Sequence, residues 1–360
     1  MMAILVVPNT IFMYITDPYN LIREDYYGKT PPNFHLYPYN LLKKHDKLNY
    51  AFLGSSSINY YDIGYMFNDS SSVFSMGIES STIEEQVEYG KLLAEKQPKE
   101  IFFFLSFYSF NPSRNPEKYY SKRVVNLNNK VIDFFDQYFT NQALSDAASY
   151  WIGGKKNSEW VQQFNENGTR TQNHYLLDKN YDFINALTSY LTLNYADVRL
   201  YGSKSFKDPE SLNYSLSKIK EFKTYLEDKN IKLRLIFAPD YKLNTAMIYY
   251  MGLGNTYKGL RKKIALIQPF YDLNADTTFT NDAKNYWDAH HVRTSRVLMD
   301  DLRSSKYLYT TNTIDSCLNR IEPNFASIQE IKKIFNEYPH WDDARRQADQ
   351  DKKLNPPKVL

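Results

Sequence analysis

The stretch Asn49-Tyr50-Ala51-Phe52-Leu53-Gly54-Ser55-Ser56-Ser57 (NYAFLGSSS) decides how the rest of the chain reads. Residues 49–54 form a short apolar run ending in glycine, the pattern of a strand buried on both faces, and the serines that follow make its turn. Val73–Gly77 (VFSMG) is a second strand. Ser80–Gln97 then reads as a helix, opened by the capping pattern Ser81-Thr82-Ile83-Glu84-Glu85 and stopped by Pro98. Glu100–Leu105 (EIFFFL) is a third strand, Leu212–Asp228 a helix, and Ile231–Ala238 (IKLRLIFA) a fourth strand that Pro239 ends. Ile264–Phe270 (IALIQPF) reads as a fifth, weaker strand and Val292–Arg303 as a closing helix. Strands alternating with helices predict an α/β fold with a doubly wound, mainly parallel sheet. Sites in such sheets form beyond the carboxyl ends of the strands, where Ser56 and Gly77 both fall.

Outward from this frame the rhythm breaks twice. Residues 111–205 are polar and rich in Asn and Tyr, with Gly153-Gly154 and Asn167-Gly168, and read as an inserted helical cap. Residues 311–360 read as a tail, helical in part from Ser327 to Lys352. A main domain over 17–310 is thereby framed by that tail and by Met1–Thr16 (MMAILVVPNTIFMYIT). The latter is apolar and uncharged but shorter than the roughly 20 residues of a spanning helix. It has no basic leader region or small-residue cleavage site, which leaves a buried first helix or the outer end of a membrane anchor.

Composition narrows the function. The 360 residues carry 44 Lys+Arg against 41 Asp+Glu, a net charge of +3, with no dense basic stripe, so nucleic acid is not an expected partner. A hydrophobic content of 42% supports a sizeable core. The 32 Tyr and 22 Phe suit sugar-binding platforms, but a biased Asn, Lys, Tyr and Phe composition accounts for them equally well. A lone Cys317 excludes an internal disulfide framework and any CxxC metal site.

Three short elements carry chemistry. Gly54-Ser55-Ser56 sits where a strand meets a turn, a place that exposes a hydroxyl beside backbone N–H groups able to hold an oxyanion. Read singly, it is a weak signal, and a solvated serine-rich turn accounts for it better. Tyr286-Trp287-Asp288-Ala289-His290-His291 puts an acid three residues before a histidine, close enough for the carboxylate to orient the imidazole. The other readings are an Asp N-cap and a metal-binding histidine pair; adjacent side chains diverge and no further ligand stands at metal spacing. Phe74-Ser75-Met76-Gly77 offers a glycine N–H at a strand end, or a plain loop glycine. A GxSxG elbow, a GxxxxGK loop, a GxGxxG turn and an HExxH helix are all missing, so no cofactor and no metal is expected.

As an ordered set these blocks resemble the SGNH, or GDSL-like, hydrolase superfamily. The resemblance aligns Gly54-Ser55-Ser56 with the first family block, making Ser56 the nucleophile, and Gly77 with the glycine of the second. Asp288-Ala289-His290-His291 matches the last block and selects His291 over His290 as base, with Asp288 as its orienting acid. Where the third block carries an oxyanion-binding Asn, this chain has Leu105-Ser106-Phe107-Tyr108, so the implied oxyanion hole is the N–H groups of Ser56 and Gly77 with Ser106 as a substitute donor. Losing one such donor costs roughly 10²–10³ in rate. Thr16-Asp17-Pro18-Tyr19, Leu53-Gly54-Ser55-Ser56, Phe237-Ala238-Pro239 and Phe270-Tyr271-Asp272-Leu273 are similar to the membrane-anchored SGNH-like proteins of bacterial surface-polysaccharide O-acylation, relatives of alginate O-acetylation and teichoic-acid D-alanyl-transfer proteins. The resemblance runs to about Ser304. It implies a serine-dependent acyltransferase or esterase outside the cytoplasm, held by an N-terminal anchor. Its substrate would be an acylated sugar or surface glycan, and its partner a membrane-bound acyl-transfer protein. Two other readings stay open: a non-catalytic glycan-binding or scaffold subunit of a polysaccharide export complex, and a cytoplasmic hydrolase of lipids or small esters.

Overall fold

A computed structural model describes residues 11–12, 36–67, 72–79, 81–111, 164–171, 181–196 and 209–337. After helix α1 (Leu36–Lys43) come β1 (Tyr50–Ser55), β2 (Val73–Ile78), α2 (Ile83–Ala94) and β3 (Glu100–Leu105). Then follow α3 (Phe183–Ala196), α4 (Pro209–Asp228), β4 (Lys232–Phe237), α5 (Lys242–Tyr250), α6 (Gly254–Ala265), β5 (Phe270–Asp272), α7 (Arg296–Ser304), β6 (Leu308–Tyr309), α8 (Ile314–Ile321) and α9 (Phe325–Glu337). The strands form one sheet in the order β2-β1-β3-β4-β5-β6, parallel from β2 to β5, with β6 antiparallel at the edge. Helices flank it, as the alternating pattern predicts.

The central strands are buried on both faces, which is why they read as continuous apolar runs rather than alternating ones. In β1, Phe52 stacks on Phe102 at 4.9 Å and packs near Phe104 on one face. Leu53 points the other way, to α2 and α4, where the absence of a side chain at Gly90 lets Phe222 close on it. Helix α2 starts as the sequence pattern requires: Thr82 Oγ1 accepts from the Glu85 N–H, and the Glu85 carboxylate accepts from the Thr82 N–H. Such a cap is worth about 1 kcal/mol.

Some boundaries differ from the sequence reading. Ile264 does not open a strand; it closes α6, whose buried residues Tyr257, Leu260, Arg261 and Ile264 recur at helical spacing. Strand β5 is only Phe270–Asp272. The helix expected over Val292–Arg303 begins at Arg296, because Val292 is engaged in an antiparallel bridge with Tyr286. Strand β6 was not visible in the sequence. Of the expected cap over 111–205, the described parts are Asn111, helix α3 and the Phe164–Arg170 turn, where Gly168 at φ +79 brings its backbone against Ser75 of β2. Of Met1–Thr16 only Ile11 and Phe12 are described, and of the tail the part up to Glu337.

Candidate active site

Strand β1 delivers Ser55 to the carboxyl edge of the sheet, and residues Ser56–Ile58 turn away as a single 3₁₀ turn. Ser55 is extended and caps that turn, its Oγ facing the Ser57 N–H at 3.4 Å. Neighbouring side chains therefore diverge: Ser55 and Ser57 are buried and Ser56 is half-buried. The Ser56 hydroxyl lies 3.0 Å from His291 Nε2, and His291 Nδ1 donates to Asp288 Oδ2 at 2.7 Å. Ser56, His291 and Asp288 thus meet in one hydrogen-bonded chain, although the serine lies 235 positions from the histidine.

The loop that carries the acid and the imidazole is held along its length. Tyr286 and Val292 pair as an antiparallel bridge, and the Trp287 N–H donates to the His291 carbonyl at 2.8 Å. The Tyr241 N–H donates to Ala289 O at 3.0 Å, which ties the loop to the segment after β4. Asp288 Oδ1 accepts the N–H groups of both His290 and His291, each at 2.8 Å. The N-cap reading of Asp288 gives way to this arrangement, since Ser295 stands at the start of α7.

Electrostatics favour an imidazole that accepts a proton. Burial works against a charge on His291, but the Asp288 carboxylate outweighs it by charge and hydrogen bond, raising the imidazole above its ordinary value. For Asp288 burial again opposes charge, yet His291 and the two backbone N–H groups hold its carboxyl below the usual range. Glu79 and Arg170, an ion pair beside the site, act on His291 in opposite directions. Tyr60 meets the His291 ring edge-on at 5.8 Å and Tyr190 does so at 6.2 Å.

The expected oxyanion donors lie in different settings. Ser75, two residues before Gly77, donates its N–H away from β1, to Asn167 O at 2.8 Å. Strand periodicity turns the Gly77 N–H to that same outer edge. Gly77 leaves space for the Asn59 side chain: a Cβ there would lie 1.8 Å from Asn59 Oδ1. The Asn59 amide is fully buried and makes no hydrogen bond among the described residues. The Ser106 hydroxyl faces inward, 2.8 Å from Ser55 Oγ and 3.5 Å from His290 Nε2. His290 itself meets a second carboxylate, Nδ1 lying 2.5 Å from Asp240 Oδ1. Asn59 and Asp240 were missed in the sequence, which gives no signal for Asp240 beyond its place after the Phe237-Ala238-Pro239 strand end.

Comparison with protein-family models, curated proteins and solved structures finds no match. The fold and the site geometry therefore carry the functional reading. Among the described residues no three His, Cys, Asp or Glu side chains gather as a metal site, and no helix is long and apolar enough to cross a membrane.

Proposed function

We propose that the protein is a serine-dependent acyltransferase or esterase of the SGNH-like kind. The observation that carries this is the hydrogen-bonded chain from Ser56 through His291 to Asp288, with its serine half-buried at a strand end. His291 takes the Ser56 proton as the oxygen attacks an ester carbonyl, and Asp288 holds the imidazole in the right tautomer and stabilises its charged form. The collapsing intermediate expels the leaving alcohol, which takes the proton back from His291. A sugar hydroxyl or water then attacks the acyl-Ser56 ester by the reverse route. The N–H group of Ser56 holds the oxyanion, and the Asn59 amide, which packs where Gly77 leaves room, is a side-chain donor not spent elsewhere.

The acyl groups are O-acyl, chiefly O-acetyl, esters of a bacterial surface polysaccharide, handled outside the cytoplasm by a protein anchored at its N-terminus beside a membrane-bound acyl-transfer partner. The resemblance of the ordered motifs supports this, and the half-buried ring of Tyr190 beside His291 suits a sugar. The test is labelling with a fluorophosphonate probe followed by peptide mapping. Label on Ser56, absent from Ser56→Ala and retained in Ser57→Ala, is the expected result. A folded wild-type protein that takes no label fits the non-catalytic glycan-binding subunit instead.

A further inference from the structure

His290 is buried, and so are Asp240 and Ser106, the side chains that its ring nitrogens meet. Both nitrogens of a buried imidazole need partners. Nδ1 lies 2.5 Å from Asp240 Oδ1, and a carboxylate only accepts, so the Nδ1 proton points there. Nε2 is left as an acceptor and faces the Ser106 hydroxyl at 3.5 Å. With the Ser106 proton directed to His290, its oxygen accepts from Ser55 at 2.8 Å. Ser55 Oγ in turn accepts from the Ser57 hydroxyl at 3.0 Å and faces the Ser57 N–H at 3.4 Å. One direction of donation satisfies the whole chain.

The far end of this chain is fixed as firmly. The Asp240 N–H donates to Asn274 Oδ1 at 2.9 Å, and Asn274 Nδ2 donates to Asp272 Oδ1 at 3.1 Å and Ala238 O at 2.8 Å. Asp272 is paired with the buried Arg261 at 2.5 Å. Tyr190 stacks on the His290 ring at 5.9 Å and Tyr108 meets it edge-on at 5.2 Å, so the imidazole has no freedom to turn. The near end closes on the two residues that flank Ser56.

The geometry points to Asp240, His290, Ser106 and Ser55 as a buried positioning relay that holds the Ser55–Ser57 turn and so aims Ser56 at His291. This rests on the acyl-transfer reading of Ser56. None of the relay hydroxyls reaches solvent, so the relay acts through the turn and not on the acyl group. Asp288 links the two systems by taking the N–H groups of both histidines.

The test compares Ser106→Ala, Ser55→Ala and the double variant in the full chain, using p-nitrophenyl acetate turnover and fluorophosphonate labelling. Displacing the serine by a fraction of an ångström to an ångström costs about 10- to 100-fold. Each single variant should lose that factor in kcat with KM unchanged, and the double variant should fall no further than the worse single. Wild-type kcat in Ser106→Ala, or losses that multiply in the double variant, would overturn the relay. Ring-nitrogen NMR gives a readout independent of turnover: the His291 Nε2 resonance should move in Ser106→Ala, and an unmoved resonance also overturns it. Wild-type protein that neither turns over ester nor takes label defeats the acyl-transfer reading alone, and the NMR comparison still decides the relay.

Discussion

Two Asp–His pairs lie side by side and differ in what surrounds them. His291 with Asp288 and His290 with Asp240 have the same chemistry, a carboxylate on Nδ1 and a serine hydroxyl toward Nε2. The His291 side chain keeps 17% of its surface and the His290 side chain 1%. The first pair therefore ends at a half-buried serine, while the second ends in a closed set of hydroxyls. The adjacent histidine rings meet edge-on at 5.5 Å, yet one reaches Ser56 and the other Ser106, and on the proposed reading that difference separates a reacting group from a supporting one. A hydrogen-bonded Asp–His–Ser chain is not by itself a catalytic site; access to the last oxygen decides.

The comparison breaks first at the nucleophile. Ser56→Ala should cost up to about 10⁶ in turnover with the melting temperature nearly kept, and His291→Ala a similar factor in turnover with the stability of its Asp288 pair lost as well, as ester hydrolysis and calorimetry would show. Comparable residual turnover in Ser56→Ala and wild type would move the chemistry elsewhere.

Asp288→Asn should cost less, about 10⁴-fold, and should move the pH profile. A base must be neutral to work, so activity falls as pH drops through the titration of His291. With Asp288 present that titration is raised, which sets the acid limb above the ordinary histidine value near 6.5. Without the carboxylate the lowering effect of burial is no longer outweighed by Asp288, and the limb should shift to lower pH; a limb that stays put counts against the pair. Stability follows the same signs. The raised His291 contributes below its ordinary value and loses this as pH rises through its raised one. The lowered Asp288 contributes above the ordinary carboxylate range and loses this as pH falls through its lowered value. Melting temperature measured against pH should therefore be highest between the two.

The buried pair should respond in the other currency. Asp240→Ala leaves the His290 Nδ1 donor without its partner inside the protein, at a cost of about 3 kcal/mol in denaturant unfolding. Asp288→Ala, at the more open site, should cost less stability and more activity. Equal stability losses would erase the distinction between the pairs. The smallest expected effect is Gly77→Ala, whose new methyl would meet the Asn59 amide and cost about 2 kcal/mol as overpacking. The Gly77→Ala, Asn59→Ala double variant should regain part of that stability, and no recovery would mean the strain lies elsewhere.

Much of the frame is legible in the amino-acid order because it rests on local pattern. Buried parallel strands must be apolar on both faces, so NYAFLG, EIFFFL and the run before Pro239 announce themselves, and the Thr82–Glu85 cap does the same for α2. The three-residue spacing of Asp288 and His291 is local too, and their pairing follows from it. Ile264 misled because a short apolar run fits strand and helix alike, and burial at helical spacing in α6 resolved it. Strand β6, two residues long, carries no pattern of its own.

The sequence by itself determined a parallel α/β sheet with Ser56 at a strand end and an acid–histidine pair on a later loop. Only the tertiary structure decided which carboxylate His290 meets and which hydroxyl each histidine meets. Asp240 lies 50 residues from His290 and Ser106 lies 184, so no periodicity links them. They pair because collapse of the sheet and its helices removes them from water together, and a polar group taken from water must find its partner among whatever the fold has brought within reach.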